Sequence, residues 1–179
     1  RVLYSAYAGT PLLEFPRMAL PYIDELEGIL AYQWVSPVSE EERARFEQEV
    51  RAAGFPDFLI NEYANTGDKM PAQARPMHYA IMPVPGLQQE SDGFDLMSDP
   101  ASADAIARAI RLRQTATTGR ISLPGPDGEP YYIFQGLAPI FSADDTLAGL
   151  LVGGFNIPEI IEAAIRLMRS EEHTSELQS

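Results

Sequence analysis

Between positions 39 and 54 apolar side chains return at the period of a helix. Phe46, Val50 and Ala53 stand at i, i+4 and i+7, which places them on one face. Ser39 and Glu42 have capping-box spacing, Glu40 and Glu41 put negative charge in the first turn, and Gly54 supplies the stop. A second helix is expected from Asp99-Pro100, with Ala103, Ile106, Ala107 and Ile110 on its inner face. Thr10-Pro11 reads as the start of a short helix that Pro21 interrupts and restarts, and Pro158 as the start of a last one.

Other stretches carry the strand signal. Residues 30–35 (LAYQWV) are short and aromatic-rich, and residues 57–63 and 77–84 read as strands separated by a polar loop, 64–76. From residue 115 onward three strands are expected, at 115–123, 131–141 and 147–156, joined by the turn-rich segments PGPDGE and SADDT. Sequential strands with short turns make an antiparallel meander. Helices placed before such a meander predict an α+β domain, not a parallel βαβ fold.

Composition narrows this picture. A chain of 179 residues, 45% hydrophobic and 22% charged, can bury a core as one domain with a helical extension. Thirteen basic residues against 26 acidic give a net charge of −13, which argues against nucleic acid or an anionic membrane surface as partner. No apolar run approaches the length needed to cross a bilayer; the longest, residues 148–155, contains three glycines. The start, Arg1-Val2-Leu3-Tyr4, has neither a methionine nor a signal-peptide pattern, so the chain reads as cut from something longer. At the other end, RSEEHTSELQS (residues 169–179) resembles the translation of a sequencing-library adapter, and on that reading the natural sequence is known only to Met168. Setting the tail aside leaves 12 basic and 23 acidic residues, net −11, so the acidic character stands.

Catalytic chemistry has few candidates. Cysteine is absent, and His78 is the only histidine outside the tail, which holds His173. A nucleophile–histidine arrangement would have to be built on His78, inside an expected strand where a rim or core role is the commoner one. Histidine-based zinc sites are excluded by count. The acidic stretch from Glu90 to Asp95 lacks the alternating ligands and distal glutamate of a calcium loop. Gly149-Leu150-Leu151-Val152-Gly153 fits GxxxG, but outside a membrane span its glycines point to close approach against a strand. No metal or cofactor is expected.

Two blocks carry a resemblance. Gln33-Trp34-Val35-Ser36-Pro37-Val38 is followed by Glu42-Arg43 and Phe46-Glu47; further on, Gly93-Phe94-Asp95-Leu96-Met97-Ser98-Asp99-Pro100 is followed by an alanine-rich helix. In this order they resemble the CHASE domain, the extracellular sensor of bacterial histidine kinases, diguanylate cyclases and plant cytokinin receptors. The proline-rich segment 82–92 departs from the family pattern, and so does the missing glycine after the second helix. The resemblance implies a helical stalk at residues 1–28, a PAS-like lobe at 29–157, and the start of a C-terminal helix at 158–168. It implies a homodimer through the stalk, anchored in the membrane by segments outside this chain. It further implies a small-molecule ligand, purine-like or another metabolite, held between sheet and helices and reported across the membrane.

In the cytokinin receptors an aspartate in the block matching Phe94 to Met97 binds the ligand, and here that position is Asp95. A backbone carbonyl and amide on the following strand fall near Thr117. Tyr79, Phe134, Leu137 and Leu151 are expected to line the pocket from their places on the sheet. Alternatives stand beside each: Asp95 as a turn cap, the four apolar residues and Trp34 as plain core. Two other functions also remain open, a ligand-free interaction module of the same fold and a hydrolase working through paired carboxylates.

Overall fold

The computed structural model describes residues 28–64, 66–84, 89–124 and 130–176. The helix expected at Thr10-Pro11 lies outside them, as does the stalk assigned to residues 1–28 apart from Gly28. Strand β1 (Ile29–Ser39) leads into helix α1 (Glu40–Ala52), and a small hairpin follows, β2 (Asn61–Tyr63) with β3 (Lys69–Pro71). Next come β4 (Met77–Ile81), a 3₁₀ turn (Leu96–Ser98) and helix α2 (Pro100–Leu112). Strands β5 (Ala116–Thr117), β6 (Ile121–Pro124), β7 (Pro130–Phe141) and β8 (Leu147–Asn156) lead to helix α3 (Ile157–Glu176). The main sheet is antiparallel in the order β4-β1-β8-β7-β5, with β6 also on β7. The protein is an α+β domain, as the pattern predicts.

β1 extends past the expected residues 30–35 because it has two partners in succession. Its first half pairs with β8, ending at Val35↔Leu150, and its second half pairs with β4 down to Ser39↔Met77. Pro37 is tolerated there, since beyond Val35 the strand has a ladder on one side and its missing N–H can face away from it. Strand alternation then divides the interior in two. Val38, Ala80 and Met82 pack with Phe46 and Val50 of α1 and with Phe58, Ile60 and Ala72; Trp34 joins this core partly buried. Val35, Ile81, Leu137, Leu150 and Val152 pack with Leu96 and with Ala105 and Ile106 of α2.

Several local expectations shift. The strand expected at 57–63 shrinks to β2, and its partner β3 lies inside the expected loop 64–76. All three β3 residues are exposed, so no alternation marks them. The strand expected at 115–123 is two, because Thr118 takes over the ladder between them. Its N–H donates to the Gln135 carbonyl at 2.9 Å while its Oγ1 accepts from the Gln135 N–H at 2.9 Å. On α2 the buried face is Ser102, Ala105, Ile106 and Ala109, so only Ile106 of the expected stripe is fully buried. In an alanine-rich helix the apolar period hardly distinguishes neighbouring faces, and Ser102 is drawn in by Gln135, 3.3 Å away. Ala53 is exposed at the end of α1, where the buried positions are Phe46, Glu47 and Val50. Ser39 Oγ donates to Glu42 Oε2 at 3.0 Å and caps no backbone N–H, so the capping box is only half formed.

The start of α2 follows expectation: the Asp99 carboxylate accepts from the Ser102 N–H at 2.7 Å, and Pro100 opens the helix. Helix α3 runs on to Glu176, eight residues beyond Met168. Once a helix is nucleated, residues of good propensity extend it without needing an apolar stripe.

Gly149 in β8 lies against the Trp34 indole, where a Cβ would collide with the ring. Gly149→Val is expected to destabilise the fold by about 1–3 kcal/mol through overpacking. Because Trp34 is the only tryptophan, its fluorescence should shift to the red together with a lower Tm. An unchanged spectrum would contradict this packing.

Candidate functional site

The block Gly93-Phe94-Asp95 runs as a strap between the main sheet and the hairpin. On one side the Ile81 N–H donates to the Phe94 carbonyl at 3.0 Å and the Gly93 N–H to the Ile81 carbonyl at 2.9 Å. On the other, the Asn61 N–H donates to the Gly93 carbonyl at 2.9 Å and the Asp95 N–H to the Asn61 carbonyl at 2.8 Å. Gly93 has φ +77°, and a side chain there would run into the Leu59 carbonyl and the Asn61 amide. Only glycine lets the strap lie this close to β2.

The strap delivers Asp95 to the outer edge of β4 with its side chain fully buried. Asp95 Oδ1 accepts from the backbone N–H of Tyr79 at 2.8 Å and of Met97 at 3.1 Å, the latter capping the 3₁₀ turn. Asp95 Oδ2 accepts from Arg75 Nη1 and lies 2.7 Å from Nδ1 of the fully buried His78. Arg75 Nη2 donates to Glu62 Oε2 at 2.6 Å, and His78 Nε2 lies 2.6 Å from Glu40 Oε2. A continuous chain, Glu62–Arg75–Asp95–His78–Glu40, therefore ties the hairpin, β4, the strap and the first residue of α1. Two carboxylates flank the His78 ring, so either nitrogen that carries a hydrogen has an oxygen to receive it.

A second set of charges fastens α1 to the same hairpin. Arg43 pairs with Glu47 at 3.1 Å and donates to the carbonyls of Ala72 at 2.7 Å and Ile60 at 2.9 Å. Glu47 Oε1 accepts from the Ile60 N–H at 3.1 Å. The Glu42-Arg43 and Phe46-Glu47 motif thus supplies a backbone clamp, which its helical spacing alone does not reveal.

The six residues singled out in the sequence do not converge. Tyr79 packs half-buried against the core beneath α2, where burial pushes its phenol up, and Leu137 is fully buried in that same core. Phe134 and Leu151 lie on the opposite sheet face. Phe134 stacks on Phe155 with ring centroids 5.0 Å apart, and Leu151 stands between Trp34 and Ala138 in the ladder. Thr117 is exposed at the β5 edge, and its carbonyl accepts from Arg108 Nη2 at 2.5 Å. Asp95 is at the other edge, beside β4. The space between sheet and α2, where the ligand is expected, is filled by Val35, Ile81, Leu96, Ile106, Leu137 and Leu150.

An open space lies elsewhere. A cleft of about 660 Å³ is bounded by the turn 54–59, the hairpin and residues 83, 84, 89 and 92. None of the six residues lines it. Asn61 does, and its backbone holds the strap. Sequence reading passed over Asn61, Glu62 and Arg75 because each stands alone among dissimilar neighbours, without periodic or motif context.

Removing Asp95 would strand Arg75 and His78 in the interior. Asp95→Ala is expected to cost about 3–5 kcal/mol, read as a fall in Tm of roughly 10 °C. A loss under about 1 kcal/mol would show that the network contributes little. The Glu40 carboxyl is held below its ordinary range chiefly by its hydrogen bond to His78. A depressed carboxylate stabilises the fold above its unfolded pKa and stops doing so as pH falls through the folded value. Glu40→Gln should therefore lower Tm at neutral pH and narrow its distance from the parent as pH drops below the glutamate range. A gap constant down to pH 3 would contradict this.

No curated protein matches the chain in sequence. Among the described residues no helix is long and apolar enough to cross a membrane. The family model described as the CHASE domain matches residues 13–178, nearly the whole length, in agreement with the two sequence blocks. CHASE domains are sensory domains of signalling receptors and not catalytic ones. The chain belongs to the CHASE domain family.

Proposed function

We propose that this chain is the extracytoplasmic sensing part of a transmembrane histidine kinase or diguanylate cyclase, and that it reports a small molecule held in the cleft. The cleft carries this reading: a hollow of about 660 Å³ whose wall includes Asn61, the residue that grips the strap. That volume falls in the range of small-molecule sites. A ligand that moves Asn61 acts on Gly93 and Asp95 through two backbone hydrogen bonds, and through Asp95 on His78 and Glu40. Glu40 follows Ser39, the last residue of β1, so the disturbance reaches the central part of the sheet. For sensing, the ligand must bind one of two arrangements of these elements better than the other.

A second reading has its own support. The filled space under α2 and the exposed stripe Ile157, Ile161 and Ile165, at helical spacing along α3, suit a ligand-free module that pairs with another protein surface.

Two measurements separate these. In the intact receptor an alkaline-phosphatase fusion at Asn156 is expected to be active and a β-galactosidase fusion there silent; the reverse pattern would sink the extracytoplasmic assignment. Thermal denaturation of the 179-residue chain against a metabolite library should yield a saturable stabiliser. If nothing stabilises the chain, the interaction-module reading takes its place.

A further inference from the structure

Two residues that line the cleft, Asn61 and Asp92, each hold a buried side-chain oxygen, Oδ1, with no hydrogen-bond partner among the described residues. Asn61 is 6% exposed. Its Nδ2 donates to the carbonyls of Leu59 and Asp92, each at 2.9 Å. A flipped amide would set its oxygen against both carbonyl oxygens, so the unpaired atom is fixed as an acceptor. Asp92 is engaged through Oδ2, which accepts from the Gln89 N–H at 3.0 Å, and Oδ1 is left over. Buried acceptors without donors are rare in folded proteins and call for an explanation.

The surroundings define what would satisfy them. Among the described residues of the wall Lys69 is the one cation, and its ammonium is already bonded to the Glu90 carbonyl. Asp57 and Asp92 outnumber it, in a chain of net charge −13. Burial pushes the Asp92 carboxyl up, against the pull of the Gln89 N–H and of Lys69, so its charge is incompletely compensated. An anion would add to this imbalance. A neutral donor would satisfy Asn61 and leave the Asp92 charge as it is. A cationic donor answers both needs. Phe55, Phe58, Met70, Pro83 and Val84 give the same cleft an apolar lining.

We propose that the cleft binds an organic cation, an ammonium group on an apolar body, with the ammonium reaching Asn61 Oδ1 and Asp92 Oδ1. The inference rests on the reading of the cleft as the sensing site, and it adds the chemical class of the ligand.

Three indoles of one shape test it on the 179-residue chain: tryptamine, the neutral indole-3-ethanol and the anionic indole-3-acetate. Tryptamine is expected to raise Tm saturably and to shift the Asn61 side-chain amide and the Gly93 N–H in a ¹⁵N spectrum. Indole-3-ethanol should bind at least tenfold more weakly, and indole-3-acetate should give no shift. Asp92→Asn, which keeps an oxygen for the Gln89 N–H, should weaken tryptamine at least tenfold while the unliganded Tm stays equal or rises. Equal binding of the three indoles, undiminished tryptamine binding by Asp92→Asn, or no perturbation of the cleft at millimolar tryptamine, phenethylamine and cadaverine would each overturn the proposal. Amine binding in the cleft without any change in output of the intact receptor would instead sink the sensor reading and leave this inference standing. Stabilisation by acids or purines but not by amines would do the opposite.

Discussion

One buried carboxylate determines how the parts of this domain are joined. Asp95 is fully enclosed and accepts from two backbone N–H groups, with Arg75 and His78 on its second oxygen. A charge so placed is tolerable only when every lone pair is used, since desolvating a carboxylate costs more than any single contact returns. β4 and the turn after the strap bring partners to Asp95 directly, and the hairpin and α1 hold Arg75 and His78 through Glu62 and Glu40, so these parts must arrive together. A core of similar volume could be made of apolar residues, and such replacements are often neutral or stabilising. What the carboxylate adds is register: a strap displaced by one residue would bury an unpaired charge. Gly93 permits the close approach, and Asp95 makes any other approach unfavourable.

This explains which parts of the structure were legible in the sequence. β7 and β8, the Asp99 cap and the Gly54 stop follow from rules that act over a few residues. The helix face of α2, the break at Thr118 and the strand β3 do not, because each is decided by a partner outside its own segment: Gln135 for the first two, β2 for the third. The candidate site shows the same division. Asp95 was visible through the family block, but its partner Arg75 and the glutamates beyond, Glu62 on Arg75 and Glu40 on His78, come from separate segments and meet only in the fold. Phe134 and Leu151 had the right polarity for a pocket and the opposite face. A period of two gives the alternation of a strand without saying which side the ligand takes.

The domain thus holds two polar centres in different states. Around Asp95 both carboxylate oxygens have partners, and nothing there is left for a ligand without displacing Arg75 or His78. At the cleft two acceptors have none among the described residues. A saturated centre resists change and a deficient one invites a ligand, so on the proposed reading binding and structural integrity are separated in space. They are still joined through Asn61, whose side chain faces the deficiency while its backbone grips the strap on either side of Phe94. A ligand at the cleft need not break the Asp95 network to be felt there. It has only to move the β2 end of the strap by the small displacements that packed elements pass on as rigid bodies.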